Sequence, residues 1–376
     1  MVYDYIFCGY GLSAMLILDK LASDGLLAGK SVLVLDNGLR TSKTLCFWEH
    51  GNGDFDAILE KSWPKAIFRD QTEFEILQNQ NTYKMLNPAR LEIVVNQKLK
   101  SFPGIEVRKE QVTGFRDNGH YGSVSTTTGK YSSHKIFNSV PQKIESSHRY
   151  PLLLQHFRGW LVETQKPSFT EDCATFMDFS IGQNGATRFI YVLPLSPTKA
   201  LVEYTLFSPD LLDKQEYDSG IEAYLRSKGI RDYKISGTED GVIPMTAYPF
   251  WKNNSANILN IGTAGGWTKP STGYTLMYAQ KKAGKVVQLL KSGTVDFTRF
   301  HKSDRFLWYD KIFISVLYYQ NASGKHVFST LFKRADPSLI LRFLREETNL
   351  LQELVILASC PKRLFLKHLI KSIFRF

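Results

Sequence analysis

Gly9, Gly11 and Ala14 stand at the spacing G-x-G-x-x-A, and an acid, Asp36, closes an apolar run some way further on. These residue types at this spacing suit the ADP half of a dinucleotide. Gly9 permits a tight turn, Gly11 lets a pyrophosphate approach the backbone, and Ala14 keeps a helix close to its strand. The phosphates would rest on the helix N-terminus, and the Asp36 carboxylate is placed to accept a hydrogen bond from the adenosine ribose. A second group of small residues lies about 220 positions later. There Gly262, Gly265, Gly266, Thr272 and Gly273 follow another short apolar run and again allow close backbone approach.

The elements that must position these residues are legible around them. Tyr5 to Cys8 reads as a buried strand, LSAMLILDKLAS as the following helix, and SVLVLD as a second strand ending at Asp36. An NAD domain would continue in regular βαβ units, whereas here the chain passes directly into a mixed segment from Leu39 to Trp48. That favours a flavoprotein whose nucleotide fold is divided. Its second half would be the strand Asn257 to Ile261, the Gly262–Gly273 loop and the helix TLMYAQKKAGKVVQLL, with amides near Thr272 and Gly273 directed at the flavin end or the pyrophosphate.

Composition bounds the rest. A chain of 376 residues, 43% hydrophobic and 22% charged, is an ordinary globular protein large enough for two interleaved subdomains. Cys8, Cys46, Cys173 and Cys360 are far apart and show no metal spacing, which fits a reducing, cytoplasmic compartment and no metal site. No segment is apolar over the roughly 18 residues that a spanning helix needs. The net charge of +11 asks for an anionic partner, either nucleic acid or a lipid surface. From Cys360 the chain reads CPKRLFLKHLIKSIFRF, in which Leu366, Leu369, Ile370 and Ile373 can share a helical face among Lys362, Arg363, Lys367, Lys371 and Arg375. Such a helix either lies in a lipid headgroup layer or packs its apolar stripe on the body.

Several further segments resemble one family, the FAD-dependent lycopene cyclases. They are Lys43–Trp48, Leu154–Trp160, Phe176–Phe179, Ile190–Ser196, Leu201–Thr205, Gly241–Met245 and the Gly262–Tyr274 loop, in order along nearly the whole chain. The resemblance implies cyclisation of the acyclic ψ ends of lycopene to β-ionone rings. That reaction comprises protonation of an alkene, attack of a neighbouring double bond on the cation, and loss of a proton, with no net oxidation. It further implies FAD reduced by NAD(P)H, a carotenoid substrate drawn from the inner face of the membrane, and no nucleic-acid partner. Glu203 is the catalytic residue that the resemblance selects. Alternation in KALVEYTLF puts Leu201, Glu203 and Thr205 on one face and Val202 and Tyr204 on the other. Aromatic residues in or beside the motifs (Phe47, Trp48, Trp160, Tyr191, Tyr204, Trp267 and Tyr274) are candidates to shield a carbocation.

The chain departs from the family's habit at Leu45, often Trp, and at Tyr204, often a second acid. Thr263 stands where many flavin hydroxylases carry Asp. The alternative activity is an FAD- and NAD(P)H-dependent reductase or monooxygenase acting on a prenyl or other apolar substrate.

The expected fold class is α/β: a Rossmann-like FAD-binding domain from residues 1–80, 105–140 and 240–295, and an interleaved β-sheet substrate domain from 81–104 and 141–239. Residues 296–376 should be a helical region ending in the basic tail, with DRFLWYDKIFISVLYYQ and PSLILRFLREETNLLQELVILAS each carrying helix-length periodicity.

Overall fold

Two strands that are apolar on both faces, Val2–Cys8 and Val32–Asp36, pair in parallel at the centre of the first sheet. Only a sheet covered on both sides accommodates such runs. The computed structural model describes residues 1–39, 43–77, 80–293, 295–301 and 304–374, with side chains described as far as 370. In it the parallel order is Ile105–Lys109, Val32–Asp36, Val2–Cys8, Lys130–Asn138 and Ile258–Asn260. Val112–Asp117 and Gly122–Thr126 add an antiparallel extension beside Lys130–Asn138. Helix Leu12–Ser23 packs on this sheet together with helix Leu276–Lys291, and their shared core includes Phe7, Ala14, Ile17, Leu259 and Ala283. The architecture is the expected α/β, Rossmann-like one.

A second, seven-stranded sheet runs in the order Tyr233–Met245, Leu153–Thr164, Lys199–Ser208, Thr187–Ser196, Cys173–Asp178, Lys65–Arg69 and Glu73–Glu75. Helix Lys214–Ser227 covers one of its faces through Val202, Tyr204, Tyr217 and Ile221. The other face, bearing Leu201 and Phe207, looks towards the C-terminal helices. A small sheet of Leu45–His50, Asn81–Leu86 and Leu59–Trp63 bridges the two halves.

Three stretches lie on the other side of the division expected from sequence. Strands Lys65–Arg69 and Glu73–Glu75, placed with the nucleotide half, extend the second sheet because Lys65–Arg69 runs in register beside Cys173–Asp178. Helix Pro88–Leu99, placed with the substrate half, buries Leu91, Val95 and Leu99 in the core of the first helix. The whole of strand Tyr233–Met245 pairs with Leu153–Thr164, so the chain re-enters the nucleotide half later than residue 240.

Helix Arg305–Tyr319 forms as its periodicity predicts, with Asp304 accepting a hydrogen bond from the Leu307 N–H as its cap. The longer periodic stretch does not form one helix. It splits into Pro337–Leu344 and Leu350–Ser359, because Asn349 and Gln352 build a reciprocal capping box and Glu346 takes a left-handed backbone at φ 62°. A side chain rarely adopts that conformation unless its surroundings hold it there. Here the Glu346 carboxylate is held by the Tyr278 hydroxyl and by the buried Lys269 ammonium at 3.1 Å, and Lys269 also meets Asp310 at 3.0 Å. One buried cation from the Gly262–Tyr274 loop thus fastens two of the C-terminal helical segments over the second sheet.

Candidate active site

The turn after the first strand builds a cradle. Gly9 has φ 92°, and a Cβ there would sit 2.2 Å from the Ser139 hydroxyl, so glycine is required on both counts. Among the described residues, a Cβ at Gly11 would meet nothing within 4 Å, and no side chain caps the helix that begins at Leu12. An open helix N-terminus beside open space fits a phosphate. Ala14 is fully buried against the sheet. Asp36 accepts hydrogen bonds from the Tyr10 and Gly38 amides, both at 3.2 Å, which holds it at the sheet's carboxyl edge beside the turn.

The distant loop closes on the same place. Gly262 begins a short turn whose α-carbon faces Ser13 of the first helix, and Thr272 and Gly273 line the same cavity as Leu12. Gly265 and Gly266 press instead on the Asn260 carbonyl and the Phe250 ring, so their smallness serves packing. The helix after the loop starts at Leu276, three residues beyond Gly273. Gly273 allows Gln155 to come close, and the buried Gln155 Oε1 has no hydrogen-bond partner among the described residues. This orphaned acceptor lines the cavity and fits a ligand that brings its own N–H or O–H donor. Arg40, Thr41 and Ser42, within the mixed segment singled out above, lie outside the described residues.

The cavity holds about 700 Å³ and runs from Leu12 and Thr263 beneath the second sheet to Phe313, Phe328 and Phe365 of the C-terminal helices. Its size lies within the range of small-molecule sites, and its walls are chiefly apolar and aromatic. Glu203 enters it from strand Lys199–Ser208 with Thr205 and Phe207 beside it, whereas Tyr204 points into the core under helix Lys214–Ser227. The position where relatives often carry a second acid therefore faces away from the cavity.

The cross-strand register explains how an acid fits here. Tyr191, Glu203, Gly159 and Glu239 form one row across four neighbouring strands. Residues opposite one another in such a row share a face. A Cβ at Gly159 would lie 2.8 Å from Glu203 Cγ, so any larger residue would displace the carboxyl. Glu203 is 9% exposed and makes no hydrogen bond among the described residues. Burial, then the nearby Glu239 charge, pushes its carboxyl well above the usual range. Glu239 accepts hydrogen bonds from the Thr44 amide at 2.6 Å and the Thr44 hydroxyl at 2.7 Å.

Tyr191 and Tyr274 face the same space with their hydroxyls 3.4 Å apart, and Tyr83 lies 3.2 Å beyond. The Tyr274 ring packs edge-on against Trp48 at 4.7 Å and parallel to Phe176. Of the aromatic candidates, Tyr191 and Tyr274 line the cavity and Trp48 backs them. Phe47, Trp160, Tyr204 and Trp267 are core. Tyr83, Phe176, Gly159 and Glu239 were not singled out as site residues from sequence. Glu239 stands two residues before the Gly241–Met245 segment, and its strand is largely exposed, so no local pattern marks it.

The comparisons agree with this architecture. The family sequence model described as lycopene cyclase protein matches residues 4–369, and the chain belongs to that family. A lycopene beta-cyclase of Paracoccus sp. is 33% identical over 140 residues, 36% of each chain. One from Pantoea ananas is 31% identical over 118 residues, 30% of each chain. The matched stretches thus span about a third of those relatives. Among solved structures, a geranylgeranyl bacteriochlorophyll reductase-like protein of Thermoplasma acidophilum superposes over 99% of both chains with a TM-score of 0.62 at 14% identity. An FAD complex of an HpxO variant from Klebsiella pneumoniae covers 96% of this chain and 99% of its own, with a TM-score of 0.55 at 15% identity. The shared fold is that of flavoproteins.

A carboxyl raised by burial destabilises the fold as pH rises, because the unfolded chain releases its proton first. Below the ordinary carboxyl range both states are protonated and no penalty exists. Above it the penalty grows by about 1.4 kcal/mol per pH unit until the folded group also ionises. Glu203→Gln removes this term. Thermal unfolding should show the variant gaining stability over the wild type as pH rises above the ordinary carboxyl range, and parallel curves would contradict the assignment of Glu203 as a buried neutral acid.

Proposed function

We propose that this member of the lycopene cyclase family is a lycopene β-cyclase that closes the ψ ends of lycopene on Glu203. The observation that carries the reading is one buried carboxyl, without a hydrogen bond among the described residues, facing an aromatic cavity from a rigid strand. A neutral acid here donates its proton to the terminal trisubstituted alkene and becomes a carboxylate. The neighbouring double bond attacks the tertiary cation and forms the ring bond. The same carboxylate then takes the ring proton, so protons and electrons balance and the acid is restored. The faces of Tyr191, Tyr274 and Phe176 lie where a cation can be stabilised, and their bulk excludes water.

The cradle of Gly9, Gly11 and Ala14, with Asp36 on the ribose, fits the ADP half of FAD. The Gly262 turn, Thr272, Gly273 and the orphaned Gln155 oxygen fit the flavin end. When bound and reduced by NAD(P)H, FAD supplies negative charge without being consumed. Thr263, where hydroxylases carry an acid, lines the cavity and favours this reading over a monooxygenase.

The substrate resides in bilayers, and the surface beside the cavity suits a peripheral enzyme on the inner face of the membrane. No described helix is long and apolar enough to cross a membrane. In the last helix, Lys362–Phe374, Leu366 and Ile370 face outward with Lys362, Arg363 and Lys367, while His368 is buried against Ser315 and Gln320. The Lys371, Ile373 and Arg375 side chains of the basic stripe lie outside the described ones. The preceding helix exposes Leu351 at 76% and Leu354 at 60%, and turns Ile356 and Leu357 into the cavity. An apolar, cation-flanked face backed by the substrate cavity is suited to a headgroup layer.

Expression in a lycopene-accumulating bacterium should convert red pigment to orange-yellow cyclic carotenoids, and Glu203→Gln should leave lycopene in place. Unchanged lycopene from folded, flavin-loaded wild type would overturn the reading. The double variant Leu351→Glu, Leu354→Glu should lose most of its sedimentation with anionic vesicles while retaining flavin. Undiminished sedimentation would reject this docking face.

A further inference from the structure

Glu239 belongs to the same cross-strand row as Glu203, separated from it only by the strand that carries Gly159. Because Gly159 has no side chain, nothing from the intervening strand stands between the two acids on the cavity face. Their environments differ. Glu203 has no hydrogen bond among the described residues, whereas Glu239 takes two strong donors from Thr44, a residue of another segment that itself lines the cavity. A carboxylate that accepts an amide and a hydroxyl is favoured in its ionised form, and the neighbouring Lys43 charge favours it further.

We propose that Glu239 is a positioning residue for Glu203, a Thr44-held carboxylate whose charge keeps the proton on its neighbour until the substrate takes it. The inference rests on the cyclase reading for its purpose, although not for its test. Two carboxyl groups in one apolar site ionise in sequence, and the one with better donors ionises first. Burial raises both carboxyls, but at Glu239 the Thr44 donors and Lys43 offset part of the rise, so that it stays above the usual range by less than Glu203 does. The other titratable groups facing Glu203 are Tyr191, Tyr274 and Cys46, which burial holds neutral, and Asp240 adds a further negative charge beside Glu239. Among the described residues, the charge that raises the Glu203 carboxyl is that of Glu239. Glu239 itself need not touch the substrate.

The test reads the Glu203 proton directly. The infrared carbonyl band of protonated Glu203, identified by its loss in Glu203→Gln, is followed against pH in the full-length flavoprotein. In Glu239→Gln and Glu239→Ala the band should disappear at a pH lower by about one unit or more. In Glu239→Asp, which keeps the charge, it should titrate close to the wild-type pH. The alkaline limb of lycopene turnover should move with the band in each variant. An unshifted band in the neutral variants, or an equal shift in Glu239→Asp, would overturn the proposal. Two neutral variants keep the measurement available should one fail to fold. Should the wild type prove not to act on lycopene, the band titration still decides the electrostatic claim.

Discussion

A carboxyl group inside an apolar cavity, with no hydrogen-bond partner among the described residues, is the constraint from which the rest of this site can be understood. Ionised, it would be strongly disfavoured; neutral, it costs far less, and it then becomes an acid facing an apolar cavity. Holding Glu203 in that state requires room for it, and the absence of a side chain at Gly159 provides the room. It also requires rigid support, which the long pairings of strand Lys199–Ser208 with both neighbours supply. Finally it requires a roof. Among the described residues the cavity beyond Glu203 is closed by helical segments near the C-terminus rather than by the sheet itself.

Those helices are held by electrostatics as well as by packing. Lys269 leaves the glycine-rich loop to meet Asp310 and Glu346, all three buried or nearly so. A buried charge cluster adds little net stability but penalises any arrangement that separates its members. Here it couples the loop proposed to receive the flavin to the helices proposed to receive the polyene, and it holds Glu346 in the left-handed turn that divides two helices. Leu350–Ser359 then presents apolar side chains both to the cavity and to the exterior, so that substrate entry and membrane contact can share one element.

How much of this was legible in the sequence varies with the range of the interactions involved. The first strand–turn–helix unit was readable because its determinants are local: a buried run, small residues at fixed spacing, then a helical period. The alternation that points Glu203 into the cavity and Tyr204 away from it was readable for the same reason. The division between subdomains was not. Strand Lys65–Arg69 looks like any short strand until its partner, over a hundred residues later, is known. The split after Leu344 is marked by Asn349 and Gln352, a capping signal that the continuous apolar period overrides on inspection. Glu239 was invisible because its partners, Thr44 and the row through Gly159, come together only through strand register.

The central claim is an acid-initiated ring closure with no net redox change, and proton and cofactor accounting tests it most directly. Purified flavoprotein, reduced with NAD(P)H and supplied with lycopene in vesicles in deuterated water, should place one solvent deuterium in each ring, because the carboxyl proton of Glu203 exchanges with solvent between ring closures. NAD(P)H loss should stay far below product formed. Product appearing in step with NAD(P)H consumption or oxygen uptake, or rings without solvent deuterium, would contradict the account and favour a reductase or monooxygenase on the same fold.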